Sequence, residues 1–432
     1  MHIYFSGIGG TGIGPLALIA HQAGFEVSGS DKQDSSYLSY LKKQGIRDIH
    51  IGQSYDQIEA VHERRPIDWF VYTSALPVEQ PDAPELRFCR DHSIKATKRD
   101  EFLGHLLHEK QLKLLAIAGT HGKTTTTAMM IWLLKQLQTP VSYSVGAKLS
   151  FGDMGEFDPE SEYFVYEADE FDRNFLSFEP YLSLITGIDW DHPDIYPTQE
   201  AYNDAFKQFL RQSESALLWK ADAARLGLSP TNHRWVMDET DSAIDQQLSL
   251  PGHVNRLNAW QVAQAVSCLT GKPLDGLLEI MNDFPGVARR FELIAPHIYS
   301  DYAHTPPKIR GALQLAHEIA GKNVVVVYEG LHNTRQHFIK NELHELFDSV
   351  KQLYIVPSYL AREDPKLKLL QPEDLRGLLS PAAQKHAAAA QLDDALAKEL
   401  QNHAADGDLV LALSAGGGHS LDEWLRKTFA KR

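Results

Sequence analysis

LLAIAGTHGKTTTTAMM, residues 114–130, joins an apolar run to a Gly-Thr-His-Gly-Lys turn and four threonines that enter a helical stretch. A strand turning into a helix in this way converges its backbone N–H groups on one point, and that point attracts phosphate. Gly119, Thr120, His121 and Gly122 form the turn. Lys123 is placed to balance charge on β- and γ-phosphates and the Thr124 hydroxyl to ligate Mg²⁺, with Thr125 beside it. The usual spacing G-x-x-x-x-G-K-[ST] would want glycine at 117; this chain has Ile117 and carries Gly119 three residues before Gly122. The reading is a shortened phosphate loop, against the plainer alternative of a glycine turn that only connects a strand to a helix.

Working outward, the next apolar run, YFVYEADEFD, crowds Glu167, Asp169, Glu170 and Asp172 at its end. The following one, LSLITGID, runs into Asp189, Asp191 and His192. In an open α/β sheet, ligands bind beyond the carboxyl ends of the strands, so both clusters are expected beside the phosphate loop. Carboxylates suit Mg²⁺ better than imidazole does, so chemistry alone argues weakly for His192 as a ligand. Any one of these acids also suits a solvated loop.

A second glycine loop, GIGGTGIG, follows the run HIYFS and satisfies G-x-G-x-x-G at Gly7, Gly9 and Gly12, with Asp31 19 residues beyond Gly12. This pattern lets a pyrophosphate approach the backbone closely, and leaves NAD, FAD and nucleotide-sugar ligands open.

Apolar runs of strand length alternate with helical patterns along all 432 residues, the signature of parallel sheets covered by helices. The expected architecture is three α/β domains: a Rossmann-like domain over 1–110, a central phosphate-loop domain with a parallel sheet over 111–295, and a C-terminal Rossmann-like domain over 296–432. A formal net charge of −15 argues against a general nucleic-acid binder, which needs a basic face. The two cysteines, Cys89 and Cys268, make neither a disulfide framework nor a metal site. With no run of about 18 apolar residues, the expectation is a cytoplasmic protein without membrane insertion.

Later stretches are rich in groups suited to anions and bases. PGVARRFE carries Arg289 and Arg290, and SDYAHTPP carries Asp301, Tyr302 and His304. LPGHVNRLNAWQVAQAV places Asn255 and Asn258 on the first turns of a helix, where they could read a base or cap the helix.

Taken together, AGTHGKTTTT, EADE, GIGGTGIG, RRF and SDYAHTP resemble the Mur ligase family, ATP-dependent amide-forming ligases of peptidoglycan precursor synthesis, over the whole chain. The resemblance implies that the first domain binds UDP-N-acetylmuramate rather than NAD, with Gly7, Gly9, Gly10, Thr11 and Gly12 at its pyrophosphate and Asp31, Thr73 and Ser74 lining the site. It implies ATP at residues 119–125, with Asn258 on the adenine and Arg290 in the motif leading to the third domain. Mg²⁺ would fall to Thr124, Glu167 and His192. Tyr302, His304 and Arg335 match positions that receive the amine substrate and the reacting centre, and Lys123, His192, His304 and Arg335 become the catalytic set. His192 and His304 both remain candidates for the base.

Within the family the chain looks most like the members that add L-alanine. Departures include Val254 where a histidine is usual, His332 in place of an arginine, and Thr305 in place of a second histidine. These keep open a short peptide as acceptor, and also a sugar-nucleotide binding protein with little turnover. Phe206, not Lys207, occupies the position of the modified lysine found in some relatives, so Lys207 reads as surface charge. A switch GTPase is disfavoured by the lack of an N-K-x-D motif. Oligomeric state has no signature in the sequence.

Overall fold

A computed structural model describes residues 1–73, 76–192, 195–360, 363–416 and 420–430. Among them, three sheets follow one another along the chain. The first consists of β1 (His2–Ser6), β2 (Glu26–Asp31), β3 (Ile49–Ile51), β4 (Trp69–Tyr72) and β5 (Lys95–Lys98), in the order β3-β2-β1-β4-β5 with every pair parallel. This is the Rossmann-like order expected of the first domain.

The second sheet contains β6 (Lys113–Ala118), β7 (Val141–Ser144), β8 (Gly155–Glu156), β9 (Tyr163–Glu167), β10 (Leu182–Ile185), β11 (Ser215–Trp219) and β12 (Arg234–Met237). Its order is β12-β11-β10-β6-β9-β7-β8, parallel except for β7 with β8. The third contains β13 (Glu292–Ala295), β14 (Ile298–Asp301), β15 (Val324–Glu329), β16 (Gln352–Val356), β17 (Ala387–Ala389) and β18 (Leu409–Leu413), ordered β13-β14-β18-β15-β16-β17. Only the β13–β14 pair in this sheet is antiparallel, so the third sheet begins ahead of residue 296.

The central strands read as unbroken apolar runs because helices cover both faces. All six residues of β15, VVVVYE, are buried, and in β6 only Lys113 is exposed. The helix Gln199–Gln212 shows the other periodicity. Tyr202, Ala205, Phe206, Phe209 and Leu210 form its buried stripe, and Thr198 caps it by accepting from Ala201 N. Phe206 thus lies in the core, while Lys207 pairs with Asp204 at 3.2 Å on the outer side.

Residues 1–248 with 257–284 form one compact unit, and 249–256 with 285–432 form a second. The first unit holds two sheets over one continuous core, which runs from Ile3 and Phe5 through Phe102 and Leu106 to Phe164, Phe175 and Phe209. Polar links cross the same seam: Lys98 Nζ donates to Asp172 at 2.7 Å, Tyr166 Oη to Asp100 at 3.3 Å, and Phe157 N to Gln22 Oε1 at 2.8 Å. No helix among the described residues is long and apolar enough to cross a membrane.

Phe102, on the helix Arg99–Glu109, is fully buried and makes edge contacts with Phe5, Phe25 and Trp69 at 5.3–5.8 Å between centroids. Phe102→Ala is expected to lower stability by about 3–5 kcal/mol through lost burial and a residual cavity, read as the shift in urea unfolding.

Candidate functional site

The phosphate loop leaves β6 at the middle of the second sheet, between β10 and β9. Gly119 adopts φ +141°, and a methyl there would come within 2.9 Å of Gly187 O, so the turn admits only glycine. Thr120 Oγ1 donates to Asp189 O at 2.7 Å and accepts from Asp189 N at 2.9 Å, while Thr120 N donates to Gly187 O. These bonds staple the loop to the end of β10. His121 lies 3.3 Å from Asp189, whose carboxyl is held below its usual range by His121 and Arg225 in spite of burial.

The helix Lys123–Gln136 starts directly after Gly122. Lys123 Nζ donates to Gly119 O and to Glu170 Oε2, both at 2.6 Å. Burial by itself lowers the pKa of this ammonium, but Glu170, Asp169 and Glu167 outweigh it and raise the pKa above the ordinary value. Thr124 Oγ1 donates to Glu167 Oε1 at 2.8 Å, and Glu167 Oε2 accepts from Gly146 N at 2.8 Å. Thr125 is half-buried on the same turn, and Asn258 is buried on the helix His253–Thr270. A methyl on Gly122 would lie 3.2 Å from Asn258 Oδ1, so that side chain rests directly against the loop.

His192 stands in a left-handed backbone conformation, φ 56°, with Nε2 3.8 Å from Glu170 Oε1 and its ring edge-on to Phe171. The structure therefore groups Lys123, Glu170 and His192 on one side and Thr124 with Glu167 on the other. Thr124 and Glu167 present oxygen donors, which suit a hard cation that completes its shell with water and phosphate oxygens. Among the described residues there is no cluster of three His, Cys, Asp or Glu side chains able to enclose a metal by themselves.

At the first sheet, the glycine loop leaves β1 beside the ends of β2 and β4. Asp31 accepts from Gly9 N at 2.8 Å, so this acid braces the loop. Gly10 and Thr11 are exposed, Gly7 and Gly12 half-buried, and Thr73 lies beside Gly7. Ser74 lies outside the described residues.

In the second unit, β14, β18 and β15 are parallel neighbours, so the segments leaving them share one edge of the third sheet. Tyr302 and His304 follow β14, with ring centroids 4.9 Å apart and His304 Nδ1 2.7 Å from Tyr302 O. The Arg289 and Arg290 guanidinium groups lie 4.7 and 4.8 Å from the centre of the Tyr302 ring. Arg335 is half-buried on the helix Asn333–Ile339, which follows β15. Behind them, the buried Glu329 accepts from Ser414 Oγ and from Leu421 N, and burial pushes its carboxyl above the usual range.

Sequence reasoning gave Glu170 no role of its own, although its place in the acidic run was visible. It also missed Asp222, for which the sequence held no signal. Asp222, on the helix Lys220–Leu226, accepts from Ile188 N at 2.9 Å and so props the segment that carries Asp189.

Comparison with known proteins identifies the family. Residues 2–111 match the Mur ligase family catalytic domain, 117–237 the Mur ligase middle domain and 289–416 the Mur ligase glutamate ligase domain. The chain belongs to the Mur ligase family, ATP-dependent ligases that form amide bonds. It is 31% identical to the UDP-N-acetylmuramate–L-alanine ligase of Syntrophomonas wolfei, over 84% of this chain and 83% of that one. It is likewise 31% identical to the enzyme of that name from Renibacterium salmoninarum, over 96% and 93%. Among solved structures, the UDP-N-acetylmuramate–alanine ligase of Thermotoga maritima shares the fold with a TM-score of 0.73 at 23% identity, covering 99% of this chain and 98% of that one. A murein peptide ligase from Psychrobacter arcticus gives 0.64 at 22% identity, with both chains fully covered.

Burial raises the pKa of Asp222 to about 6. A carboxyl whose folded pKa exceeds its unfolded value keeps its proton longer in the folded chain, so it withdraws stability as pH rises from about 4 to about 6. Asp222→Asn is expected to gain stability over the wild type across that window and hold the gain at higher pH. Urea midpoints of both proteins at pH 4, 5, 6 and 7 measure the difference.

Proposed function

We propose that this protein joins L-alanine to the lactyl carboxylate of UDP-N-acetylmuramate, with ATP activating the carboxylate as an acyl phosphate, in the cytoplasmic synthesis of peptidoglycan precursors. The observation that carries the reading is a phosphate loop with a charged lysine and a Thr124–Glu167 oxygen pair, in the same compact unit as a second glycine loop. The names of the curated relatives support L-alanine as the acceptor.

In this reading Gly119–Thr125 cradle the phosphates of ATP, and Asn258, buried against Gly122, reads the adenine. Mg²⁺ held by Thr124 and Glu167, with His192 as a further ligand candidate, would supply charge neutralisation at the transferring phosphate. Lys123 exchanges the Glu170 carboxylate for phosphate oxygens and offsets the charge that develops as the lactyl carboxylate attacks. Gly7–Gly12, Thr73 and Ser74 hold the sugar nucleotide, and Asp31 serves it by fixing Gly9.

In the second unit, Tyr302 and Arg335 are assigned to the amine substrate and Arg290 to the nucleotide. Deprotonation of the amine falls to His192 or His304. The Nδ1 of His304 is tied to the Tyr302 carbonyl, which makes Nε2 the accepting atom of its neutral ring. The amine attacks the acyl carbonyl, and phosphate leaves from the tetrahedral intermediate.

The test offers ATP, UDP-N-acetylmuramate and either L-alanine or L-Ala-γ-D-Glu-meso-diaminopimelate, with products read by mass. An L-alanine adduct is expected. An adduct formed only with the peptide would reassign the acceptor, and binding of the sugar nucleotide without product would reassign the protein to a binding role. Lys123→Ala should lower phosphate release in the complete mixture by at least about 100-fold.

A further inference from the structure

Arg99 begins the helix that follows β5 and turns back onto the glycine loop of β1. A methyl on Gly12 would overlap Arg99 Nη1, so the guanidinium fills the space that the missing side chain of Gly12 leaves. The side chain is 22% exposed, and its ion pair runs through Nε to Asp100 Oδ1 at 3.5 Å. Among the described residues, Nη1 and Nη2 donate no hydrogen bond. Its neighbour Lys98 is different, because it is committed to Asp172 at 2.7 Å.

The terminal N–H groups of this partly exposed guanidinium face no acceptor among the described residues and are open to a planar oxyanion at the loop. A guanidinium is charged at any ordinary pH, and the nearby Asp100, Asp169 and Glu167 favour that charge against the effect of burial. The helix Gly14–Gln22 opens at the same loop and adds the partial positive charge of its N-terminus. The acid at this loop, Asp31, is already bound to Gly9 N.

We propose that Arg99 binds the pyrophosphate of the sugar nucleotide through Nη1 and Nη2, closing the glycine loop from the side of the second sheet. This rests on the reading of that loop as the sugar-nucleotide site. The guanidinium has the planar fork that matches two phosphate oxygens at once, which a lysine ammonium does not reproduce.

The experiment is calorimetric titration of UDP, UDP-N-acetylmuramate and ATP into the full-length wild type, Arg99→Ala, Arg99→Gln and Arg99→Lys. The Ala and Gln variants should bind UDP about tenfold or more weakly, as expected for loss of hydrogen bonds to a charged group, and Arg99→Lys should recover part of that loss. ATP affinity should stay within about twofold in all four, a result that a merely structural role for Arg99 would not give. UDP affinity unchanged in the variants overturns the inference alone, as does a loss confined to UDP-N-acetylmuramate, because UDP carries the pyrophosphate without the sugar carboxylate. Equal losses for UDP and ATP also overturn it. A wild type that binds ATP but neither uridine nucleotide overturns the sugar-nucleotide reading and the inference with it. If Arg99→Ala does not fold, the Gln and Lys variants carry the comparison.

Discussion

A buried ammonium has to keep a counter-charge, and the centre of the second sheet is organised around that requirement. Lys123 sits with its side chain 14% exposed against Glu170, 1% exposed, at 2.6 Å. Removing either partner of such a pair leaves an uncompensated charge, which is far more destabilising than exchanging it for another suitable group. The segment that carries Glu170 is fixed accordingly. Tyr196 Oη donates to Glu170 O at 2.6 Å, and Lys98 holds Asp172. Asp172 and Arg173 both take left-handed backbone conformations, φ 53° and 57°, that non-glycine residues rarely adopt. Such local strain persists only where the surroundings over-determine it, and here three elements do so.

The same requirement bears on the proposed exchange of partners at Lys123. With Glu170 as partner, Lys123 is neutralised by the protein itself. With phosphate oxygens as partner in the proposed reaction, Glu170 would need a new neighbour, and His192 Nε2 lies 3.8 Å from it. Thr124 and Glu167 form a separate pair at the helix start. The site therefore separates a lysine held by a carboxylate from an oxygen pair suited to a hard cation.

Much of this was legible in the sequence because it lies in short, ordered motifs. The unbroken apolar runs predicted parallel strands, and β6, β9, β10, β14, β15, β16 and β18 all lie on such runs. The alternation LLAIAG, GTHGK, TTTT placed a helix start at Lys123 or Thr124, and the helix begins at Lys123. Strands such as β5, KATK, and β17, AAA, left no apolar signature, because pairing with a neighbour holds them in the sheet. Arg99 was invisible for another reason. Its neighbours in sequence are a lysine and an aspartate, and only the return of its side chain to Gly12, 87 positions away, gives it meaning. The role of Asp31 was likewise beyond pattern reading, since a carboxylate that braces a loop and one that grips a ribose have the same spacing.

The continuous core beneath the first two sheets carries a thermodynamic consequence. Side chains from both sheets fill one apolar interior, so neither sheet can melt without exposing part of the other. A ligand that binds only the folded form of one glycine loop therefore raises the free energy needed to unfold the other, by linkage and without any movement between them. In a cell, saturation of either loop would protect both from local opening and proteolysis. The resistance of this unit to degradation would then follow the supply of whichever ligand is more abundant.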